Sequence, residues 1–222
     1  MNLEGKVISF LGDSNTAGRN VADKENNRFD NVIFKKCKLK RVNNYGISGT
    51  RIAHQTFPSP KARHDGSFCT RAWDMDPQSD IIVVMGGSND YGHGDAPLGK
   101  PGDTTRATFC GAVEHLCALL KELYPNALVV FLTPPHAKGD ALPSTDPLKA
   151  HCPEKRILVE YVDMILKIVP KYGFPVFDMF RNLGIDFNNP DDYEKYSIDG
   201  LHFNDVGNHA IADAIIKFLE SL

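Results

Sequence analysis

The sequence predicts a doubly wound α/β domain, and three observations carry the prediction. Four short apolar runs, Val7–Leu11, Ile81–Met85, Leu128–Leu132 and Val176–Phe177, are near-continuous and rich in β-branched or aromatic residues. That is the pattern of strands covered on both faces, as in a parallel sheet between helix layers. Between the runs lie segments whose apolar residues recur every three or four positions, as amphipathic helices require. The length of 222 residues suits one domain of generous size, with two small ones as the alternative, and a core large enough to need neither disulfides nor metals.

Taken in order, Val7–Leu11 is the first strand. Leu39–Asn43 is more polar and predicts a weaker strand at the sheet edge. The run Lys35, Lys36, Lys38, Lys40, Arg41 just before it reads as a solvated helix end leading into that edge rather than as a nucleic-acid surface. Ile81–Met85 is the most hydrophobic strand. Thr105–Leu123 places Phe109, Val113, Leu116, Leu120 and Leu123 on one helical face and stops at Tyr124-Pro125-Asn126. After Leu128–Leu132, a helix over Ile157–Val169 buries Ile157, Tyr161, Ile165 and Ile168 and ends near Pro170. Val176–Phe177 is the last strand, and Val206–Leu219 closes the chain with Ile211, Ala214, Ile215 and Phe218 on its apolar face. Three stretches, His54–Gly66, Gly92–Asp103 and Pro134–Pro153, are irregular. Open α/β folds bind ligands outside the carboxyl ends of their strands, so these loops should border any active site.

Composition narrows the function classes. The chain is 42% hydrophobic and 24% charged, with a net charge of -3 and scattered Lys and Arg, which argues against a nucleic-acid partner. Cys37, Cys69, Cys110, Cys117 and Cys152 show no CxxC or Cys/His spacing and read as reduced structural thiols, with no metal site. No apolar stretch approaches the roughly 20 residues that span a bilayer, and no basic leader precedes the first strand. A soluble cytoplasmic protein without a membrane partner is expected; the oligomeric state is left open.

Four clusters carry chemistry. Gly12-Asp13-Ser14-Asn15 follows the first strand, where a serine meets the ligand crevice and a tight turn offers backbone N–H groups to developing charge. Asn44-Tyr45-Gly46-Ile47-Ser48-Gly49-Thr50 follows the weak strand, its glycines allowing close backbone approach. Gly86-Gly87-Ser88-Asn89-Asp90 follows the third strand and can aim an amide into the same crevice. Asp199-Gly200-Leu201-His202 precedes the closing helix and pairs a base with a carboxylate. Singly, each fits an ordinary turn or helix cap equally well.

In this order, Gly-Asp-Ser, Asn-x-Gly-x-x-Gly, Gly-x-Asn-Asp and Asp-x-x-His resemble the blocks of the SGNH (GDSL-type) hydrolase family, from Gly12 to His202. The resemblance implies one domain over residues 1–222. Its fold would be a three-layer α/β/α sandwich around a mostly parallel, flavodoxin-like sheet of about five strands, and no cofactor would be needed. Ser14 would be the nucleophile, His202 its base and Asp199 the carboxylate that orients the base. The oxyanion donors would be the Ser14 N–H, the Gly49 N–H (with Gly46 the runner-up) and the Asn89 amide. Asp13 and Asn44 read as hydrogen-bonding supports, and Tyr91, His93 and His136 as candidates for lining a substrate pocket. Arg51 and Arg71, near the second block, read as surface salt-bridge residues, with recognition of a carboxylate or sugar as the alternative.

The implied activity is a serine esterase acting on small acyl esters, acetyl groups on carbohydrate among them. A lysophospholipase or thioesterase of the same fold is the alternative within the class. A non-catalytic binding module is the alternative outside it, although every residue the chemistry needs is present.

Overall fold

Five strands form one wholly parallel sheet in the computed structural model, which describes residues 1–222. They are β1 (Val7–Gly12), β2 (Arg41–Gly46), β3 (Ile81–Met85), β4 (Leu128–Leu132) and β5 (Val176–Phe177), in the order β2-β1-β3-β4-β5. This is the flavodoxin-like order, with β2 at the edge and β1 between β2 and β3. Ile8 pairs with Val42 on one side and Ile81 on the other, and Gly12 with Gly46 and Met85. The carboxyl ends of these three strands therefore lie level.

The helices are α1 (Lys24–Asn27), α2 (Phe29–Cys37), α3 (Phe68–Arg71), α4 (Ser88–Gly92), α5 (Phe109–Leu123), α6 (Leu158–Ile168), α7 (Met179–Asn182), α8 (Pro190–Tyr196) and α9 (Asp205–Glu220). Strand alternation sorts the core into two layers. Leu11, Ile82, Val84, Val129 and Phe131 face Phe68 of α3, Phe109, Val113 and Leu116 of α5, and Tyr161 and Ile165 of α6. Ile8, Phe10, Val83, Val130 and Leu132 face Phe29 and Ile33 of α2 and Ile211, Ile215 and Leu219 of α9. The three-layer α/β/α sandwich is present as expected.

Boundaries move where local hydrogen bonding decides them. β2 begins at Arg41 rather than Leu39, because α2 ends in a left-handed Lys38 (φ 50°) and the Leu39 N–H turns back to the Phe34 carbonyl at 3.1 Å. The basic run is thus the last turn of α2 and the start of the edge strand. α5 begins at Phe109 rather than Thr105, since the Thr108 side chain caps it by accepting the Gly111 N–H. α6 gives way at Val169 to a single 3-10 turn, Val169–Tyr172, which accommodates Pro170. All five cysteines are unpaired and four are buried. No helix is long and apolar enough to cross a membrane.

Candidate active site

β1 delivers the chain to a tight turn at its carboxyl end. A Cβ on Gly12 would fall 1.9 Å from Thr16 Oγ1, so only glycine lets the backbone fold back there. The turn is closed by the Ala17 and Arg19 N–H groups, which donate to the Asp13 and Ser14 carbonyls at 2.9 Å each. Asp13 accepts the Asn15 N–H at 3.0 Å. Burial pushes the Asp13 carboxyl up to about 7, against that hydrogen bond and the nearby Arg71. Ser14 is buried within this turn, 6% exposed.

The partner of Ser14 arrives from the opposite end of the sequence. The Ser197 hydroxyl donates to the His202 carbonyl at 2.7 Å, and Asp199 Oδ1 accepts the Leu201 and His202 N–H groups at 3.0 and 2.8 Å. The segment is held as a turn with both side chains on one side. His202 Nδ1 lies 2.7 Å from Asp199 Oδ2, and His202 Nε2 lies 2.8 Å from Ser14 Oγ. An ionised carboxylate only accepts, so the imidazole proton sits on Nδ1 and the bare Nε2 faces the hydroxyl. Burial of Asp199 works against its charge, yet the hydrogen bonds from His202 and Leu201 outweigh it and bring the carboxyl to about 2. Burial also pushes His202 below its ordinary value, and Asp199 offsets only part of that. The ring is neutral at pH 7, the state in which it can take a proton.

The three expected oxyanion donors share a trait. The N–H groups of Ser14 and Gly49, both buried residues, donate to no carbonyl or side chain of the chain. Buried N–H groups are nearly always paired, so these two unspent donors are free to bind an acceptor from outside the chain. Gly46 is different, because its N–H is taken by Asn44 Oδ1 at 3.0 Å; between the two glycines, the geometry favours Gly49. Gly49 has φ +83° and backs onto the His64 ring, where a Cβ would lie 2.4 Å from Cδ2. Asn89 spends one amide N–H on the Thr50 carbonyl at 2.9 Å and keeps the other. Its Oδ1 lies 3.1 Å from His93 Nε2. Asn44 donates to the Thr16 carbonyl at 2.8 Å and so ties the second block to the Ser14 turn.

A cavity of about 450 Å³ adjoins these groups, lined among others by Asn89, Tyr91, His93, Lys138, Ser144 and Asp199. Tyr91 and His93 both border it, with the Tyr91 hydroxyl donating to the Leu142 carbonyl at 2.8 Å and tethering the loop after β4. His136 is not among its walls. Its Nδ1 lies 2.7 Å from Asp140 Oδ2 and its ring rests 3.7 Å from that of Phe180. No three His, Cys, Asp or Glu side chains converge as metal donors.

Arg51 and Arg71 depart from the sequence reading, since neither lies on the surface. Arg71 is 9% exposed and donates to the Gly12 and Tyr45 carbonyls and to Thr50 Oγ1, at 3.0, 2.6 and 2.8 Å. It pins the ends of β1 and β2 to the second block. Arg51 is 2% exposed and donates to Ser59 Oγ, the His64 carbonyl and Asp65 Oδ1, with His93 Nδ1 at 2.7 Å from its Nη1. Asp90 accepts the Ile52 and Ala53 N–H groups at 3.0 and 2.9 Å and joins the third block to the second. Lys149 reaches the Asp90 carbonyl from the loop after β4 at 2.7 Å. Asn15 clasps the Asp199–His202 turn through the Leu201 carbonyl and the Phe203 N–H, and Asn20 donates to Asp199 Oδ2 at 2.7 Å. Of these, only Asn15 and Asp90 stood in a motif; no motif marks Arg51, Arg71, Lys149 or Asn20.

A family model described as the GDSL-like Lipase/Acylhydrolase family matches residues 10–210. No curated protein sequence matches the chain. Among solved structures, a Lactobacillus plantarum protein is 29% identical, with 98% of each chain covered and a TM-score of 0.82. A possible lipase from Chitinophaga pinensis (18% identical, 97% and 98% covered, TM-score 0.68) and the inhibitor-bound M. smegmatis aryl esterase (17%, 98% and 99%, 0.64) share the fold. With the match running from within β1 to within α9, the chain belongs to the GDSL-like lipase/acylhydrolase family.

Proposed function

We propose that the protein is a serine esterase that hydrolyses small acyl esters, with Ser14 as nucleophile, His202 as general base and Asp199 as its orienting carboxylate. The observation that carries the reading is the continuous contact from Ser14 Oγ to His202 Nε2 (2.8 Å) and from His202 Nδ1 to Asp199 (2.7 Å). A serine hydroxyl attacks an ester poorly unless a base removes its proton in the same step. His202 Nε2 takes that proton while Oγ bonds to the carbonyl carbon, and Asp199 stabilises the resulting imidazolium. The tetrahedral oxyanion is held by the Ser14 and Gly49 N–H groups and the spare Asn89 N–H. Collapse expels the alcohol, which takes the proton from Nε2. Water then repeats the sequence on the acyl-enzyme and releases the acid.

The polar side chains among the cavity walls, Lys138, Ser144, Thr145 and Asp146, support a short acyl group on a hydrophilic alcohol such as a sugar. Leu142 and Leu201 are exposed at 68% and 37% and line the same cavity, and they favour the second reading, a longer acyl chain.

Hydrolysis of p-nitrophenyl esters from acetate to long chains, comparing the native protein with Ser14→Ala, tests both. Turnover peaking at acetate and lost in Ser14→Ala and His202→Ala is expected; a peak at long chains transfers the substrate to lipids. Asn89→Ala should lower kcat by about 10²–10³-fold, the usual cost of one oxyanion donor, and a change in KM alone would make Asn89 a binding residue. Absence of Ser14-dependent turnover and of fluorophosphonate labelling at Ser14 would leave a binding module.

A further inference from the structure

Arg51, His93 and Asn89 form a buried series in which each side chain fixes the hydrogen-bonding sense of the next. A guanidinium has donors and no acceptor, so the 2.7 Å contact from Arg51 Nη1 requires His93 Nδ1 to be bare. The neutral ring then carries its proton on Nε2. Burial and the Arg51 cation push His93 down to about 4, in keeping with a neutral ring. At 3.1 Å, that Nε2–H faces Asn89 and can be satisfied only by Oδ1. The opposite edge of the amide faces the Thr50 carbonyl, which can only accept. Both edges agree on one orientation; a flipped amide would set donor against donor and acceptor against acceptor. Arg51 is itself held by Ser59, the His64 carbonyl and Asp65.

We propose that Arg51 and His93 are positioning residues for the oxyanion site: the guanidinium sets the imidazole tautomer, and the imidazole sets the Asn89 amide with its spare N–H turned to the substrate oxygen. The inference rests on the esterase reading and adds a role that neither substrate contact nor fold maintenance supplies. Donation into Oδ1 also draws electron density from the amide nitrogen and strengthens its remaining N–H as a donor. His64 belongs to the same cluster, its carbonyl on Arg51 and its ring against Gly49, so two of the proposed oxyanion donors lean on one support.

The test is a double-mutant cycle on p-nitrophenyl acetate. His93→Phe keeps a ring but neither accepts from Arg51 nor donates to Asn89, whereas His93→Gln can do both. Each is measured in the native and the Asn89→Ala backgrounds, with thermal melting as a check of folding. His93→Phe should lower kcat about ten-fold with KM little changed, the cost of one lost hydrogen bond in a network, and His93→Gln should restore most of it. In the Asn89→Ala background the same change should cost less than about two-fold, because the group through which His93 acts is gone. Should the phenyl ring not be tolerated, His93→Ala is read in the same two backgrounds. Equal losses in both backgrounds, or a rise in KM alone, would overturn the relay and leave Ser14-dependent hydrolysis intact. Absence of Ser14-dependent hydrolysis would strike the esterase reading itself, and the relay with it.

Discussion

At His202 two influences oppose each other over one proton. Burial disfavours the imidazolium, Asp199 favours it, and burial prevails, so the base form extends below the ordinary value of 6.5. A general base must be unprotonated, so kcat/KM should fall as pH drops through the His202 value, with the acid limb below 6.5. Asp199→Asn removes the influence that raises His202, so a pH–rate profile of that variant should show the limb displaced further towards acid while the plateau drops. A limb that moves upward would mean another group governs it. Motif order, through the family resemblance, singled out Ser14, Asn89, Asp199 and His202, since each follows or precedes an element whose type was legible. Arg51 was not legible: what makes it a buried hub comes from residues 59–65 and from His93, and no local pattern distinguishes an arginine with those partners from a solvated one.

Among the elements, the carboxyl end of β2 packs tightly against the turn that follows β1. A Cβ on Gly46 would lie 2.3 Å from Ala17 N and 2.6 Å from Thr16 C. These are backbone atoms, and no side chain can swing aside to relieve the clash. Gly46→Ala should therefore destabilise the fold by about 1–3 kcal/mol, the usual cost of overpacking, measured by urea denaturation, and should lower kcat because relief must push the Ser14 turn away. Unchanged stability would mean that the two segments are looser than their contact implies. The buried strands were legible because both faces of each are apolar. β2 was read two residues early because, with polar Asn43 and Asn44 facing other strands and turns, hydrophobicity does not mark its limits; the helix cap at Lys38 does. Thr105 was read as helical for the converse reason, since periodicity cannot see that Thr108 spends its hydroxyl as a cap.

On the scale of the molecule, the two apolar layers share one five-stranded sheet, with Ile82 and Val84 on one face and Ile81 and Val83 on the other. Loss of packing on either face frees the same strands. Thermal unfolding followed by near- and far-ultraviolet circular dichroism should give one coincident transition, and Phe109→Ala or Ile211→Ala should each lower it without splitting it. Two separated transitions would divide the chain into independent units. The layers and strand order were within reach of the sequence, but the network joining the loops was not, because it is assembled from contacts up to 188 residues apart. That separation bears on the timing of synthesis. A ribosome releases the chain from its amino end, and domains acquire structure as units once their parts have emerged. Ser14 leaves the ribosome before the Gly49 and Asn89 segments, and His202 reaches its hydroxyl only once residue 202 has emerged and α9 has docked beside α2. On the proposed esterase reading, the nascent chain is chemically silent towards esters around it, and activity appears only as the finished fold closes.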